Sequence, residues 1–214
     1  MKFMSNYETF LFQKLHKIEE KKEMELLKKY YNKEKMTILL VTVITSMIVH
    51  FALYASSVTG PDTLLNSMYH RADIWETMLL RFGLFFVQII KGNVVSPILA
   101  TLISSILLGI TVNVVLEIFN IKNKYFKYIT AVVFAVAPNI SSTLTFFYCS
   151  DAYLLGLLFA TLAVYIIRKY ENKNWLVIIS GLLLALAIGM YQTYLSVTMV
   201  LCVATLLIDV LNNK

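Results

Sequence analysis

The sequence predicts an all-α fold, a polytopic membrane helix bundle with about six transmembrane helices. Three observations favour this class. Hydrophobic residues make up 58% of the 214-residue chain and charged residues only 15%, a composition that soluble domains do not have. The charges are confined to short stretches between long apolar runs. Six of these runs approach the length of about 20 residues with which a helix crosses a bilayer.

Residues 1–35 precede the first apolar run and form the first predicted region. From Tyr7 to Lys35, apolar residues recur among many Lys and Glu at spacings that place most of them on one side of a helix. This pattern predicts an amphipathic cytoplasmic helix on the membrane surface. A solvated charged arm, stabilised by pairs such as Glu25 with Lys29, is an equally good interpretation. No signal peptide is visible, because the first apolar run follows a long charged stretch and no small-residue cleavage site comes after it.

Residues 36–214 form a single predicted transmembrane domain. Its first span, Met36 to Ala55, is followed by an outer loop at 56–93, the longest polar connection in the chain. Within this loop, Met78 to Ile90 is apolar but too short to cross, which predicts an interfacial or re-entrant helix. The other predicted spans are Val94–Phe119, Tyr128–Phe147, Ala152–Ile167, Trp175–Met190 and Leu195–Leu211.

The distribution of basic residues orients these spans. Loops retained in the cytoplasm are enriched in Lys and Arg, whereas translocated loops are depleted of them. With the amino terminus inside, 16 of the 19 basic residues are cytoplasmic, and only Arg71, Arg81 and Lys91 lie outside. We therefore expect a multi-pass protein of the cytoplasmic (plasma) membrane with both termini in the cytoplasm. Because membrane orientation accounts for the net charge of +6, nucleic acid is not an expected partner.

Two acidic residues on the predicted outer face are the candidates for catalysis. Asp151 stands between two apolar spans, where an ionised carboxylate placed one turn too deep costs a few kcal/mol. It is either a functional group or an interfacial carboxylate that caps the following helix. Asp62 follows Pro61 in a turn-like string at the start of the outer loop. It is either a site residue or the N-cap of a short helix.

Further polar residues on the same face are candidates for substrate binding. Arg81 opens the interfacial run, and its guanidinium can hold a carrier phosphate or a phospholipid headgroup. Glu76 lies in the same loop, with a solvated or salt-bridged residue as the alternative interpretation. Tyr191 and Gln192 supply a ring and an amide suited to a sugar, although interfacial tyrosines are ordinarily membrane anchors. Tyr148 lies in the remaining outer turn.

The two cysteines indicate neither a metal site nor a disulfide framework. Cys149 and Cys202 lie within or at the edge of apolar runs, far from any CxxC spacing. We expect both to be small hydrophobic residues buried in the membrane. The sequence also contains no GxGxxG or P-loop string.

Four strings carry a family resemblance. They are RFG beginning at Arg81, PILATL beginning at Pro97, FFYCSDAYLLGLLFATLAVY beginning at Phe146, and LALAIGMYQTYLS beginning at Leu184. With these strings the chain resembles the GT-C glucosyltransferases of the Gtr family, which modify O-antigens in serotype conversion. The resemblance extends from about Phe51 to Ile208.

The resemblance implies transfer of a hexose, typically glucose, from a polyprenyl phosphate carrier to a cell-envelope glycan at the outer face of the membrane. Asp62 matches the acidic residue of the first outer loop that acts on the acceptor, and Asp151 matches a second outer acidic position. Arg81 matches the arginine of the family's RWG-like string. Because such enzymes have more than six spans, the resemblance implies that this chain lacks a carboxy-terminal half.

The expected partners are membrane lipid, a polyprenyl-phosphate-linked sugar and an envelope glycan acceptor. No cofactor is expected, because transfer from a lipid phosphate requires no nucleotide-binding fold, and a need for a divalent metal stays open. Two alternatives remain at this point. The short chain favours a non-catalytic accessory subunit or truncated remnant, whereas a small membrane transporter would show a polar cavity at mid-membrane.

Overall fold

The computed structural model describes residues 33–56, 63, 76, 78–170 and 173–211. These residues form helices and contain no strand, so the predicted all-α class is confirmed. The amphipathic helix predicted for the amino-terminal segment lies outside them. The residues from Ile38 onward belong to one compact unit, and Lys33–Thr37 belong to another. The described helices are α1 (Lys33–Val49), α2 (Phe51–Ser56), α3 (Gly83–Lys91), α4 (Pro97–Ile118), α5 (Lys124–Val136), α6 (Pro138–Leu144), α7 (Ser150–Lys169), α8 (Asn174–Met190) and α9 (Tyr194–Leu211).

Three of the described helices are long and apolar enough to cross a membrane. They are α4, α7 and α9, with 22, 20 and 18 residues. Helix α8 is also apolar but has 17 residues. Each of the four coincides with a predicted span, and their length and composition indicate a membrane protein.

Two predicted spans, the first and the third, are broken helices. The third divides into α5 and α6 because Pro138 lacks a backbone N–H and forces the residue before it out of the helical region. Ala137 accordingly has φ −61° and ψ 133°. The first divides at His50, whose buried ring lies 3.0 Å from the backbone oxygen of Ala135, near the other break. The two breaks therefore lie side by side in the bundle.

Helix α7 is the centre of the bundle. It packs against α4, α8 and α9. Small residues recur about once per turn on its buried surface, at Ala152, Gly156, Ala160 and Ala163. Small side chains let helix backbones approach closely, which is how helices associate in a membrane. The central position of α7 fixes its first turn at the junction of several elements.

Helix α3 replaces the longer interfacial run that the sequence predicts. The chain turns at Leu80, which has a positive φ of 56°, before α3 begins at Gly83. Helix α3 packs against α8. A Cβ on Gly83 would lie 3.0 Å from the backbone of Gly189, so only glycine permits this approach. The opposite side of α3 exposes Phe86, Ile89 and Ile90, as an interfacial helix does.

Candidate functional site

The candidate site lies at the amino-terminal end of α7, where three strings singled out in the sequence meet. These strings are 81–83, 148–156 and 189–194. Glycines make the contact possible. A Cβ on Gly156 would lie 2.6 Å from the ring of Tyr194, and a Cβ on Gly189 would overlap the ring of Phe82. Segments far apart in sequence therefore converge because no side chain separates them.

Arg81 is held by two tyrosines. Its Nη1 donates a hydrogen bond of 3.1 Å to the hydroxyl of Tyr153. Its guanidinium carbon also lies 5.0 Å from the centre of the Tyr191 ring, within the range of a cation–π interaction. The Nε atom is buried and has no hydrogen-bond partner among the described residues. Arg81 therefore keeps one buried donor that no described residue uses.

Aromatic side chains form the floor under Arg81. The rings of Tyr153 and Tyr191 lie 5.1 Å apart, and Tyr194 lies 6.0 Å from Tyr191. The Tyr194 hydroxyl donates a hydrogen bond of 2.5 Å to the backbone oxygen of Tyr153. On the other side, Phe146 lies 6.4 Å from Tyr153. Contacts of this kind fix the rings, so Arg81 rests on a prearranged surface.

Asp151 is a buried carboxylate with a lysine counter-ion. It lies in the first turn of α7 and is 5% exposed. Its Oδ1 accepts hydrogen bonds from Lys91 Nζ at 2.8 Å and from the backbone N–H of Ala152 at 3.0 Å. Lys91 Nζ also donates to the backbone oxygen of Tyr148 at 2.8 Å. Asp151 therefore belongs to a charged cluster in the first turn of α7 and accepts one N–H of that turn. It does not cap the helix, because the N-cap position is Cys149 and has no side-chain cap hydrogen bond.

A narrow recess lies beside this ion pair. Its space is enough for about one water molecule. The lining residues are Leu84, Val87, Gln88, Lys91, Gly92, Asn93, Val95, Tyr148, Cys149, Asp151 and Ala152. A sugar does not fit into the recess as it stands, so substrate access to Asp151 requires the lining to move.

Cys149 precedes α7 and takes no part in acid–base chemistry near neutral pH. Its side chain is buried, and burial, which disfavours the thiolate, raises the pKa of the thiol to about 12. The thiol is therefore protonated and packs as a small apolar group, as expected from the sequence. Among the described residues, no three His, Cys, Asp or Glu side chains come together to hold a metal ion.

The remaining predicted site residues have different surroundings. The amide of Gln192 donates to the backbone oxygen of Leu79, which ties the 189–194 turn to the chain before Arg81. Glu76 is buried, and its backbone oxygen accepts a hydrogen bond of 2.8 Å from the Arg81 N–H. Both therefore support the segment that carries Arg81.

Asp62 lies outside the described residues. Its neighbour Thr63 is buried and donates a hydrogen bond of 2.7 Å from its hydroxyl to the backbone oxygen of Thr145. Thr145 directly precedes the segment that leads into α7. The residue after Asp62 is therefore fixed next to that segment.

Two residues of the site were not selected from the sequence: Lys91 and Tyr153. In the sequence, Lys91 stands out only as one of three outer basic residues. Its signal is its position at the end of an apolar helix, where an ammonium group needs an anionic partner. Tyr153 lies at a helical position inside an apolar string, and nothing in its spacing distinguishes it from a membrane anchor.

A second polar cluster lies at the other end of α7. Arg168 makes two hydrogen bonds to the carboxylate of Asp209, at 2.8 and 2.9 Å. The Tyr165 hydroxyl donates to Glu117 at 2.5 Å, and Lys169 lies beside both. Arg168 follows Asp151 by seventeen positions in the same helix, which is about 25 Å along the helix axis. This cluster is therefore separate from the candidate site.

The fold and the site together define an all-helical membrane protein with a buried carboxylate and two cationic side chains at one end of its central helix. The family model of glucosyl transferase GtrII matches residues 62–214. The chain belongs to this family, which confirms the resemblance seen in the four strings and makes the protein a glucosyltransferase-family transferase, for which a sugar donor and a glycan acceptor are implied. No curated protein and no solved structure matches the chain.

Proposed function

We propose that this protein transfers a hexose, glucose in the first instance, from a polyprenyl phosphate carrier to a cell-envelope glycan at the outer face of the cytoplasmic membrane. One observation supports this most directly. Arg81 lies on a tyrosine floor at the same helix end as the buried carboxylate of Asp151. A phosphate leaving group needs a cation such as Arg81, and an attacking hydroxyl needs a carboxylate such as Asp151 to accept its proton.

The proposed reaction is a single displacement at the anomeric carbon. A hydroxyl oxygen of the acceptor glycan attacks this carbon, and the bond to the carrier phosphate breaks. The hydroxyl proton goes to a carboxylate, Asp62 or Asp151, while the carrier keeps the phosphate. Arg81 stabilises the negative charge that develops on the departing phosphate. The configuration at the anomeric carbon is inverted in this scheme.

The substrate-binding roles are assigned to side chains around the same helix end. The rings of Tyr148 and Tyr191 provide surfaces for the sugar or the acceptor, and Gln192 and Glu76 provide polar groups near Arg81. Tyr148 and Tyr191 are half-buried, so each ring keeps an accessible part. The interfacial helix α3 would lie on the bilayer surface with Phe86 and Ile89 in the lipid.

The proposed topology is that of a GT-C glycosyltransferase with about six spans and cytoplasmic termini. In this arrangement the broken helix pairs α1–α2 and α5–α6 each count as one span. The proposal also keeps the division into a charged segment 1–35 and a transmembrane domain 36–214. The distribution of basic residues supports the orientation, because the sparse outer set includes Arg81 and Lys91.

The test is glucose transfer by membranes that contain the protein. Radiolabelled polyprenyl phosphate glucose is supplied as donor, and label in envelope glycan is measured for the wild type, Asp62→Asn and Asp151→Asn. We expect wild-type transfer and a loss of about 100-fold or more in the variant that lacks the proton acceptor. Asp209→Asn, which changes an aspartate at the distant end of α7, is the matched control and should retain transfer.

Two outcomes would count against the proposal. If the wild-type protein incorporates no label at normal expression, the carrier or the sugar is wrong. If transfer occurs but Asp62→Asn and Asp151→Asn behave like Asp209→Asn, the family activity stands and the assignment of the carboxylates does not.

A further inference from the structure

The ion pair between Lys91 and Asp151 closes the candidate site. The carboxylate is 6% exposed and the lysine side chain 22% exposed, with 2.8 Å between Nζ and Oδ1. The same Oδ1 also accepts the Ala152 N–H. An acceptor hydroxyl that is to give its proton to this oxygen must first displace the ammonium group. The recess alongside, as the described residues line it, has room for about one water molecule and not for a sugar.

Lys91 can separate from Asp151 and still keep another contact within the site. An ammonium group has three N–H donors. One of them goes to the backbone oxygen of Tyr148 at 2.8 Å, which is independent of Asp151. A carrier phosphate can therefore take the place of the carboxylate while the Tyr148 contact keeps the ammonium group nearby.

The chain after Lys91 can accommodate such a movement. Gly92 ends α3 with a φ of 77°, and no atom lies within 4 Å of the position that a Cβ would occupy there. The open space beside Gly92 and the wide range of backbone angles that glycine adopts favour movement of the chain at this point. The start of α3 is fixed instead, because Gly83 packs on the backbone of Gly189.

We propose that Lys91 exchanges its partner during the catalytic cycle, leaving Asp151 for the phosphate of the sugar carrier. Carrier binding then frees the Asp151 carboxylate to receive the acceptor proton, so the donor must bind before the acceptor can react. The exchange makes and breaks no covalent bond. It rests on the proposed function for the identity of the anion, and it adds Lys91 as a residue that couples donor binding to acceptor activation.

Binding of polyprenyl phosphate without a sugar tests this exchange. The full chain in lipid nanodiscs is titrated with the carrier as wild type, Asp151→Asn, Lys91→Gln and the double variant. If the carboxylate and the phosphate compete for Lys91, Asp151→Asn should bind the carrier about fivefold more tightly than the wild type, because the ammonium group is already free. The gain should disappear in the Lys91→Gln background.

The double variant separates exchange from simple repulsion. If Asp151 merely repels an anion, the gain from Asp151→Asn is the same in the wild-type and Lys91→Gln backgrounds, and the proposal is overturned. Arg168→Gln with Asp209→Asn removes an equivalent ion pair at the far end of α7 and should show no change.

The transfer assay distinguishes the two proposals. If the wild type transfers glucose but the gain in carrier binding from Asp151→Asn does not depend on Lys91, the partner exchange is overturned and the proposed function stands. A wild-type protein that neither binds the carrier nor transfers glucose from it overturns both. Glucose transfer, together with a gain in carrier binding that disappears in the Lys91→Gln background, supports both proposals.

Discussion

At the scale of single residues, the site depends on charges that have defined partners. Arg81 bonds the Tyr153 hydroxyl and lies over the Tyr191 ring, and Asp151 is paired with Lys91. Each charge is paired because an unpaired charge in an apolar environment is costly. The sequence reveals which charges are out of place in an apolar run, but their partners come from other helices and are visible only in the fold.

The guanidinium of Arg81 has a geometry that lysine cannot reproduce. The guanidinium lies over the Tyr191 ring while its Nη1 bonds the Tyr153 hydroxyl, so Arg81→Lys loses this combination of contacts although it keeps the charge. We expect Arg81→Lys to lower glucose transfer by about 100-fold, the scale of losing one donor that stabilises the transition state. Steady-state transfer with saturating carrier measures this.

Tyr153→Phe tests how Arg81 is positioned. The variant removes the hydroxyl that accepts from Arg81 Nη1 and retains the ring that packs on Tyr191. We expect kcat to fall about tenfold with KM for the carrier little changed, because positioning affects the transition state more than ground-state binding. Tyr165→Phe, at the other end of α7, is the control. Equal kinetics for Tyr153→Phe and Tyr165→Phe would remove Tyr153 from the site.

At the scale of helices, glycine contacts decide whether the site assembles. A Cβ on Gly156 would meet the Tyr194 ring at 2.6 Å and the Met190 Cβ at 3.2 Å. Gly156→Ala should therefore push α9 away from α7 and lower the free energy of unfolding by about 1–3 kcal/mol. The measurement is the midpoint temperature of thermal unfolding in detergent, which is monitored as the loss of soluble protein.

Gly181→Ala is the matched control for this prediction. Gly181 lies within α8, and no atom comes within 4 Å of the position of an added Cβ. Alanine also favours a helix over glycine by about 1 kcal/mol. The midpoint should therefore stay the same or rise. A Gly156→Ala protein as stable as Gly181→Ala would mean that the contact between α7 and α9 is looser than the structure indicates.

The same elements show how far the sequence predicts the structure. Apolar run length locates α4, α7, α8 and α9 to within a few residues, because run length is what a bilayer selects. The breaks at His50 and Pro138 are missed, since a count of apolar residues ignores the buried polar contact of the His50 ring at one and the backbone chemistry of proline at the other. The sequence singles out two of the three charged residues at the start of α7. Asp151 and Arg81 are found from their unusual positions, whereas Lys91 becomes a site residue only when α3 folds back onto α7.

At the scale of the whole molecule, α7 separates two polar ends that should lie on opposite sides of the membrane. Asp151 and Arg81 lie at its first turn, and Arg168 with Asp209 lies at its last. A separation of about 25 Å approaches the thickness of the hydrocarbon core. With α7 crossing the membrane as proposed, the two clusters lie at opposite surfaces, and the orientation of the chain decides which one meets the envelope.

Site-directed cysteine labelling measures that orientation. Thr193 lies in the turn beside the candidate site, and Lys122 lies between α4 and α5 at the opposite end; both are exposed. With a membrane-impermeant maleimide, Thr193→Cys should label in intact cells, and Lys122→Cys should label only after permeabilisation. The parent chain gives the background. It should be low because Cys149 is buried with a pKa raised to about 12 by that burial, and half-buried Cys202 lies in the middle of α9, which is apolar enough to cross a membrane. Labelling of Lys122→Cys in intact cells would place the distant cluster outside, and the candidate site could not then act on an envelope glycan.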